Sequence, residues 1–173
     1  MLTLVIGGSA SGKSTYAEHL AVMGPAPLYY VATMMPYDEE SRRRIKKHQN
    51  QRAEKTFSTI ECYTGLATIR IPERGTILLE CLGNLAANEL FAPEGAGPRT
   101  VEAIKEGFLK LEQQCDNLIV VSNDVFADGS SYDEGTVMYL DVLGTLNRDL
   151  SRYFERVVEV VCGIPILRKG EIA

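Results

Sequence analysis

The run Gly7-Gly8-Ser9-Ala10-Ser11-Gly12-Lys13-Ser14 constrains the fold more than any other part of the sequence. It follows the apolar run Leu2–Ile6 and precedes a segment of helical character that continues from Tyr16 to Met23. It fits the pattern G-x-x-x-x-G-K-[ST], which places a tight glycine-rich turn between a strand and a helix. The sequence therefore predicts a strand, a phosphate-binding loop and a helix, in that order.

Each residue type in this motif has a physical task. Glycines let successive backbone N–H groups point inward at phosphate oxygens, and the helix that begins near Lys13 adds the positive end of its dipole. Lys13 is expected to reach the β- and γ-phosphates as a catalytic residue, and the Ser14 hydroxyl to ligate Mg²⁺. A glycine turn without a ligand is the alternative, which the complete motif in its strand and helix context disfavours. The predicted nucleotide contacts of the loop are Gly7, Gly8, Ser9, Ala10, Ser11, Gly12, Lys13 and Ser14.

Apolar runs of strand length recur along the chain, and stretches of helical character separate most of them. This alternation is typical of a parallel sheet. We therefore predict an α/β fold of the P-loop NTPase type, with three layers, a mainly parallel central sheet and one domain over residues 1–173. The predicted strands are Leu2–Ile6, Leu28–Ala32, Ser58–Cys62, Thr76–Cys81, Asn117–Ser122 and Arg156–Cys162. The predicted helices after the first are Glu39–Arg52, Arg99–Gln114 and Thr136–Phe154, the last with a buried stripe of Val137, Leu140, Leu143, Leu146 and Leu150.

The charge balance narrows the class of partner. The formal net charge is −5, which argues against a general binder of nucleic acid or membrane surfaces. One local basic patch suits a phosphorylated small molecule better than a polymer. It consists of Arg42, Arg43, Arg44, Lys46, Lys47 and Arg52. No apolar stretch approaches the roughly 20 residues of a membrane span, and we expect a cytoplasmic protein.

The cysteines show no C-x-x-C spacing, so we expect free thiols in a reducing cytoplasm. Three of them end apolar runs and are predicted to be small core residues, namely Cys62, Cys81 and Cys162.

Two histidines occur, and they differ in their neighbours. His19 lies away from the loop's mouth and is expected to be a surface or packing residue. In a helical Glu39–Arg52 segment, Arg44 and Arg52 would lie one turn before and after His48. These cations would lower the pKa of His48 and leave a neutral nitrogen able to attack phosphorus. Spacing alone slightly favours the alternative, a solvated basic helix.

The chain resembles the bifunctional adenosylcobinamide kinase/adenosylcobinamide-phosphate guanylyltransferase family over nearly its whole length. The resemblance rests on the phosphate loop and on Tyr30-Val31-Ala32-Thr33, Arg44-Ile45-Lys46-Lys47-His48 with Arg52, Glu61-Cys62, Leu78-Leu79-Glu80-Cys81 with Asn88, Ser122-Asn123-Asp124-Val125, Gly144 with Asn147, and Gly163-Ile164-Pro165. It implies a cytoplasmic transferase of cobalamin assembly and salvage that uses GTP, ATP and Mg²⁺ on a corrinoid substrate. It also implies a homotrimer.

The resemblance further implies roles for individual residues. His48 becomes the catalytic residue that carries GMP, and the nucleotide contacts extend to Ala32, Thr33, Met34, Gln49, Asn50, Gln51, Arg52, Glu61 and Glu80. Carboxylates at strand ends lie where a sheet of this class opens onto its ligand. Glu80 interrupts the apolar run Ile77-Leu78-Leu79, which favours a metal or ligand role beside Ser14. Glu61 could instead be an ordinary exposed strand residue.

The sequence also departs from the family pattern. Ala10 stands where an arginine is usual, Phe126 follows Asp124-Val125 where a glycine is usual, and Val137 and Leu140 stand where arginines usually precede the residue matching Asp141. The nucleotide core is intact, so these changes fall on the acceptor side. Two other functions therefore stay open, a P-loop kinase for another small molecule and a non-catalytic nucleotide-binding module.

Overall fold

Strands and helices alternate along the chain. The computed structural model describes residues 1–40, 42–43, 46, 57–125 and 132–171. Its strands are β1 (Leu2–Gly7), β2 (Leu28–Ala32), β3 (Phe57–Glu61), β4 (Thr76–Leu79), β5 (Asn117–Asn123), β6 (Arg156–Val161) and β7 (Ile164–Lys169). Its α-helices are α1 (Lys13–Val22), α2 (Leu82–Phe91), α3 (Thr100–Glu112) and α4 (Glu134–Tyr153), with short 3-10 turns at Leu66–Thr68 and Gly97–Arg99.

The strands within these ranges form one sheet in the order β3-β2-β4-β5-β1-β6-β7. Neighbouring strands from β3 to β6 pair in parallel, and only the pair β6–β7 is antiparallel among the described strands. In the register of β1 and β5, Gly7 lies beside Asn123. The predicted mainly parallel sheet is therefore confirmed, and the carboxyl ends of six strands meet at one edge.

Both faces of the sheet are buried, which explains the nearly continuous apolar runs of its inner strands. One face packs against α2, α3 and α4 through residues such as Leu79, Leu118, Phe108 and Leu146. The other face packs against α1. There, Ala17 and Ala21 contact the side chains that point to the opposite side of the same strands. The layers are thus helix, sheet and helix, as predicted.

The predicted strands occur with ends shifted by one or two residues, but two elements were missed. The strand β7 is an exposed edge strand that contains Pro165, a residue that normally argues against a strand. The helix α2 begins directly after β4, and its N-cap is Cys81, whose sulfur accepts a bond from the Asn84 N–H. Cysteine is not among the preferred N-cap residues, so the usual start signal is missing.

Two predictions about burial were wrong in part. In α4 the stripe Leu143, Leu146 and Leu150 is buried, whereas Val137 is 45% exposed because the first turn extends beyond the core. The cysteines are free thiols as predicted, and Cys62 is buried. Cys162 is exposed instead, with φ 50° in the β6–β7 turn.

The predicted helix Glu39–Arg52 is described only in part. Glu39, Glu40, Arg42, Arg43 and Lys46 have helical backbone, and Glu39 pairs with Arg43 at 3.4 Å. The rest of this segment, His48 included, lies outside the described residues. Within the described ranges no helix is both long and apolar enough to cross a membrane.

Candidate active site

The phosphate loop joins the carboxyl end of β1 to α1, at the edge where the parallel strands end. Its turn uses left-handed backbone at Ala10, with φ 55°, and at Gly12, with φ 90°, the N-cap of α1. A Cβ at Gly7 would lie 2.6 Å from the Val160 carbonyl oxygen, so a glycine is required there. The loop is also braced from β6–β7, because the Gly163 N–H donates to the Ser11 carbonyl at 2.7 Å.

The Lys13 side chain bonds back to the loop that precedes it. Its Nζ donates to the Gly8 carbonyl oxygen at 2.9 Å. Burial lowers the pKa of Lys13, and the nearby Cys81 partly offsets this. The ammonium is thus held across the mouth of the loop, where a phosphate oxygen would replace the Gly8 carbonyl as its partner.

A cavity of about 400 Å³ opens beside this loop. Lys13 and Ser14 line one side, and Glu80, Asn84 and Asn123 line the other. These residues come from the first turn of α1, from the position directly after β4, from the end of β5 and from the first turn of α2. The cavity also contacts Ser9, Ala10, Met34, Cys81, Val121 and Val125. Of the predicted nucleotide contacts, the structure therefore brings Ser9, Ala10, Lys13, Ser14, Met34 and Glu80 together.

Thr33 lies behind this cavity and organises its wall. It is fully buried, its Oγ1 donates to the Cys81 carbonyl at 2.9 Å, and its N–H donates to a Glu80 carboxylate oxygen at 3.3 Å. The carbonyl of Thr33 accepts a bond from the Asn88 side-chain amide at 2.8 Å. Thr33 thus positions Glu80 and Cys81 through its own polar groups. Ala32 packs into the α1-side core and does not line the cavity.

Glu61 lies apart from the phosphate loop. It ends β3, four strand spacings from β1 in the sheet order, or about 19 Å at the usual spacing. Burial and then the negative charge of the Glu61 carboxylate raise the pKa of Tyr63. The structure therefore does not bring Glu61 and Lys13 to the same group of a ligand, although both lie on the same sheet edge.

A polar network behind Asn123 had no predicted site role. The Ser122 hydroxyl donates to the Asn147 side chain at 2.5 Å, and Asn147 donates to the Asn123 carbonyl at 3.2 Å. The Asn123 amide then reaches the Cys81 sulfur at 3.6 Å. The signal in the sequence was the change from the apolar run of β5 to Ser122-Asn123-Asp124.

Tyr139 supports the same wall from α4. A Cβ on Gly83 would lie 2.8 Å from the Tyr139 hydroxyl, so glycine permits this approach. Burial, with a smaller effect of Cys81, raises the pKa of Tyr139 to about 12. Burial also raises the pKa of Cys81. Both groups therefore stay protonated at neutral pH and contribute no general base.

The donor set of the cavity fits a magnesium ion bound together with a nucleotide. Ser14 and Glu80 offer oxygen atoms on facing walls, and Mg²⁺ usually takes few protein ligands beside phosphate oxygens and water. Within the described residues, no group of three or more His, Cys, Asp or Glu could hold a metal by itself. The cavity thus suits a metal that arrives with phosphates.

Several predicted residues cannot be placed. His48, Gln49, Asn50, Gln51, Arg52 and Phe126 lie outside the described residues. Of the described departures, Ala10 lines the cavity, whereas Val137 is exposed in the first turn of α4 and Leu140 is half-buried one turn later. Ala10 therefore places an apolar group in the cavity wall.

Comparison with known proteins gives a consistent picture. A family model described as cobinamide kinase / cobinamide phosphate guanyltransferase matches residues 3–167. The bifunctional adenosylcobalamin biosynthesis protein CobP of Pseudomonas aeruginosa is 32% identical over 174 residues, which cover 99% of each chain. The corresponding protein CobU of Salmonella typhimurium is 30% identical over 96% of this chain and 98% of its own. CobU of Escherichia coli is 28% identical over the same shares.

Proposed function

Because this chain belongs to the cobinamide kinase / cobinamide phosphate guanyltransferase family, we propose that it carries out both reactions in cobalamin biosynthesis. It phosphorylates the hydroxyl of adenosylcobinamide with a nucleoside triphosphate, and then transfers GMP from GTP to that phosphate. The product is adenosylcobinamide-GDP, and pyrophosphate is released.

The observation that carries this proposal is the cavity that joins Lys13 and Ser14 to Glu80 and Asn123. It combines a phosphate-binding loop with a carboxylate and an amide from neighbouring strands, at the sheet edge where α/β proteins bind ligands. The nearly full-length match to the family supplies the acceptor, which the loop alone does not specify.

The kinase step needs positioning and neutralisation of charge more than covalent help. The acceptor hydroxyl oxygen attacks the γ-phosphorus, and the bond to the β–γ bridging oxygen breaks. Lys13 would offset charge on the phosphates, and the backbone N–H groups of the loop would orient them. A magnesium ion held by Ser14 and Glu80 would supply further charge neutralisation. We assign no general base, because a loose phosphoryl-transfer transition state does not demand a strong one.

The guanylyltransferase step uses His48 in this proposal. Its neutral ring nitrogen attacks the α-phosphorus of GTP, and the bond to the α–β bridging oxygen breaks to release pyrophosphate. GMP then remains on the ring nitrogen as a phosphoramidate. An oxygen of the corrinoid phosphate displaces it and restores the free histidine. Four residues that follow it are proposed to hold the nucleotide: Gln49, Asn50, Gln51 and Arg52. Glu61 is proposed to contact a part of the substrates that is remote from Lys13.

The test is the intact mass of the protein after incubation with GTP, Mg²⁺ and pyrophosphatase. We expect one added GMP, which mild acid removes and alkali does not, because a P–N bond cleaves once its nitrogen is protonated. His48→Ala should abolish the adduct, and His19→Ala is the matched control that should keep it. His48→Ala should retain corrinoid phosphorylation if that step needs only the phosphate loop.

The same experiment separates the other two functions. A P-loop kinase for another small molecule would bind GTP without forming an adduct, and His48→Ala would only weaken binding. A nucleotide-binding module without catalysis would neither form the adduct nor release product. Ala10 stands in the cavity wall where the family usually has an arginine, so turnover with corrinoid acceptors tests the acceptor directly.

Two further features follow from family membership and are part of this proposal. We expect a homotrimer, which light scattering of the purified protein would test. We also expect a cytoplasmic location, which suits the free thiols of Cys62, Cys81, Cys115 and Cys162.

A further inference from the structure

A buried arginine lies at the amino ends of the parallel strands, on the side of the sheet opposite the phosphate loop. Arg156 opens β6 and is only 8% exposed. Side chains alternate along a strand, and the next residues on its face, Val158 and Val160, belong to the α1-side core. An arginine keeps its positive charge in proteins. Arg156 therefore places a charge at the end of an apolar stripe, which is costly without a partner.

The partner is missing within the part of the chain that the structure describes. The Nε of Arg156 is shielded from solvent and makes no hydrogen bond. The salt bridges found among the described residues use other cations. One other described side-chain atom is buried without a partner, the Oγ of Ser11 in the phosphate loop, a place where a ligand is expected. An orphaned donor on Arg156 likewise points to a ligand.

Arg156 faces a cavity of about 250 Å³ between α1 and the β6–β7 pair. Tyr16, His19 and Leu20 line it from α1, Val158 from β6, and Leu167 from β7. The carboxyl end of β6 touches the phosphate loop through Val160. Arg156 lies four residues earlier, about 13 Å away along the strand. The cavity is therefore separate from the one beside Lys13.

The lining specifies the charge and shape of an occupant. One guanidinium calls for one negative charge, and its planar fork matches the two oxygens of a carboxylate. The carboxylate of Glu171 also lines the cavity and disfavours a dianion such as phosphate. Leu20, Val158 and Leu167 supply apolar walls that an inorganic ion would leave without contacts.

We propose that this cavity binds a small organic monocarboxylate whose carboxylate pairs with Arg156 and whose apolar body contacts Leu20, Val158 and Leu167. Tyr16 and His19 lie on the same wall and can donate hydrogen bonds to it. The site is independent of the proposed transferase reactions, since it uses no residue of the phosphate loop.

Thermal unfolding with benzoate as the probe tests this inference. A saturable rise in Tm of about 5–10 °C is expected at a hundredfold excess over Kd, because the ligand binds only the folded state. Benzamide, neutral but of similar shape, should give no rise. Arg156→Met should abolish the benzoate response. Arg168→Met is the matched control, since Arg168 pairs with Glu159 on the protein surface and its loss should leave the response unchanged.

A second variant decides the question if Arg156→Met does not fold. Met23 lines the cavity but is 61% exposed, so Met23→Trp narrows the entrance without disturbing the core and should weaken benzoate binding at least tenfold. GTP affinity should stay unchanged in both variants, which separates this site from the transferase site.

Four results would overturn the proposal. They are no response of the natural protein to benzoate, an equal response in Arg156→Met or Met23→Trp, a response to inorganic phosphate alone that depends on Arg156, and a response confined to Glu171→Gln. The last would identify Glu171 as the partner of Arg156.

Discussion

The two walls of the cavity beside Lys13 are built in different ways. The phosphate loop is held through its own backbone carbonyls: the Lys13 side chain donates to the Gly8 carbonyl, and the Gly163 N–H donates to the Ser11 carbonyl. The facing wall is held by side chains of residues far apart in sequence. Thr33 bonds to residues 47 and 48 positions later, and Asn88 reaches back 55 positions to Thr33.

Because the two walls are built differently, amino-acid substitutions in them should have different effects on stability and binding. In the loop the cost of a substitution depends on the position, because a Cβ at Gly7 meets the Val160 carbonyl, which cannot yield, whereas a Cβ at Gly8 meets nothing. A wall built from side-chain hydrogen bonds loses one bond per substitution and should weaken in steps. The predictions below follow that contrast, from the loop to the facing wall.

Lys13→Ala should have the largest effect. It removes the cation that we expect to neutralise the phosphates, and a loss on the order of 10³ in kcat/KM is expected for both activities. The Tm should change little, since Lys13 is half-buried and its side chain bonds only to the Gly8 carbonyl among the described residues. Lys110→Ala, on the exposed face of α3, is the matched control. Nucleotide affinity and turnover equal to those of the natural protein would remove Lys13 from the site.

Gly7→Ala should destabilise the fold by about 1–3 kcal/mol, because the added Cβ would meet the Val160 carbonyl and the Ser11 hydroxyl, each at 2.6 Å. Gly8→Ala is the matched control in the same loop. No atom lies within 4 Å of a Cβ there, so the free energy of unfolding should change by less than about 0.5 kcal/mol. Urea unfolding of the pair measures both. Equal losses of stability in the two variants would contradict a loop in which Gly7 is closely packed and Gly8 is not.

The same contrast explains what the sequence could predict. The loop and its flanking elements were predictable because eight consecutive residues carry the signal, from Gly7 to Ser14, and the buried strands because both their faces are apolar. The bonds of Thr33 were not predictable, since they join residues that only the sheet order brings together. Nor was the distance of Glu61 from Lys13, which depends on β3 lying at the sheet's far end.

Thr33→Val should cost about 0.5–1.5 kcal/mol of unfolding free energy, the net contribution of one hydrogen bond. It keeps the shape of a fully buried side chain but removes the hydroxyl donor from the Cys81 carbonyl, which retains the bond from the Leu85 N–H. Nucleotide affinity should fall only slightly, because the Cys81 main chain loses one anchor while the N–H of residue 33 still donates to Glu80. Thr59→Val on the exposed face of β3 should change stability by less than about 0.5 kcal/mol. A Thr33 variant as stable as the natural protein would show that the wall does not depend on this bond.

Glu80→Gln should have the smallest effect and the most specific one. A glutamine oxygen can still accept the bond from the Thr33 N–H, so the fold and the position of the side chain should be kept. The negative charge is lost, and a metal bound beside Ser14 should be held less tightly. We expect about a tenfold loss of turnover at limiting Mg²⁺, recovered when Mg²⁺ is raised, with metal-free nucleotide binding unchanged. Glu94→Gln, in the exposed turn after α2, is the matched control. If the Mg²⁺ titrations of Glu80→Gln and the natural protein coincide, Glu80 serves only to fasten Thr33, and the facing wall is structural throughout.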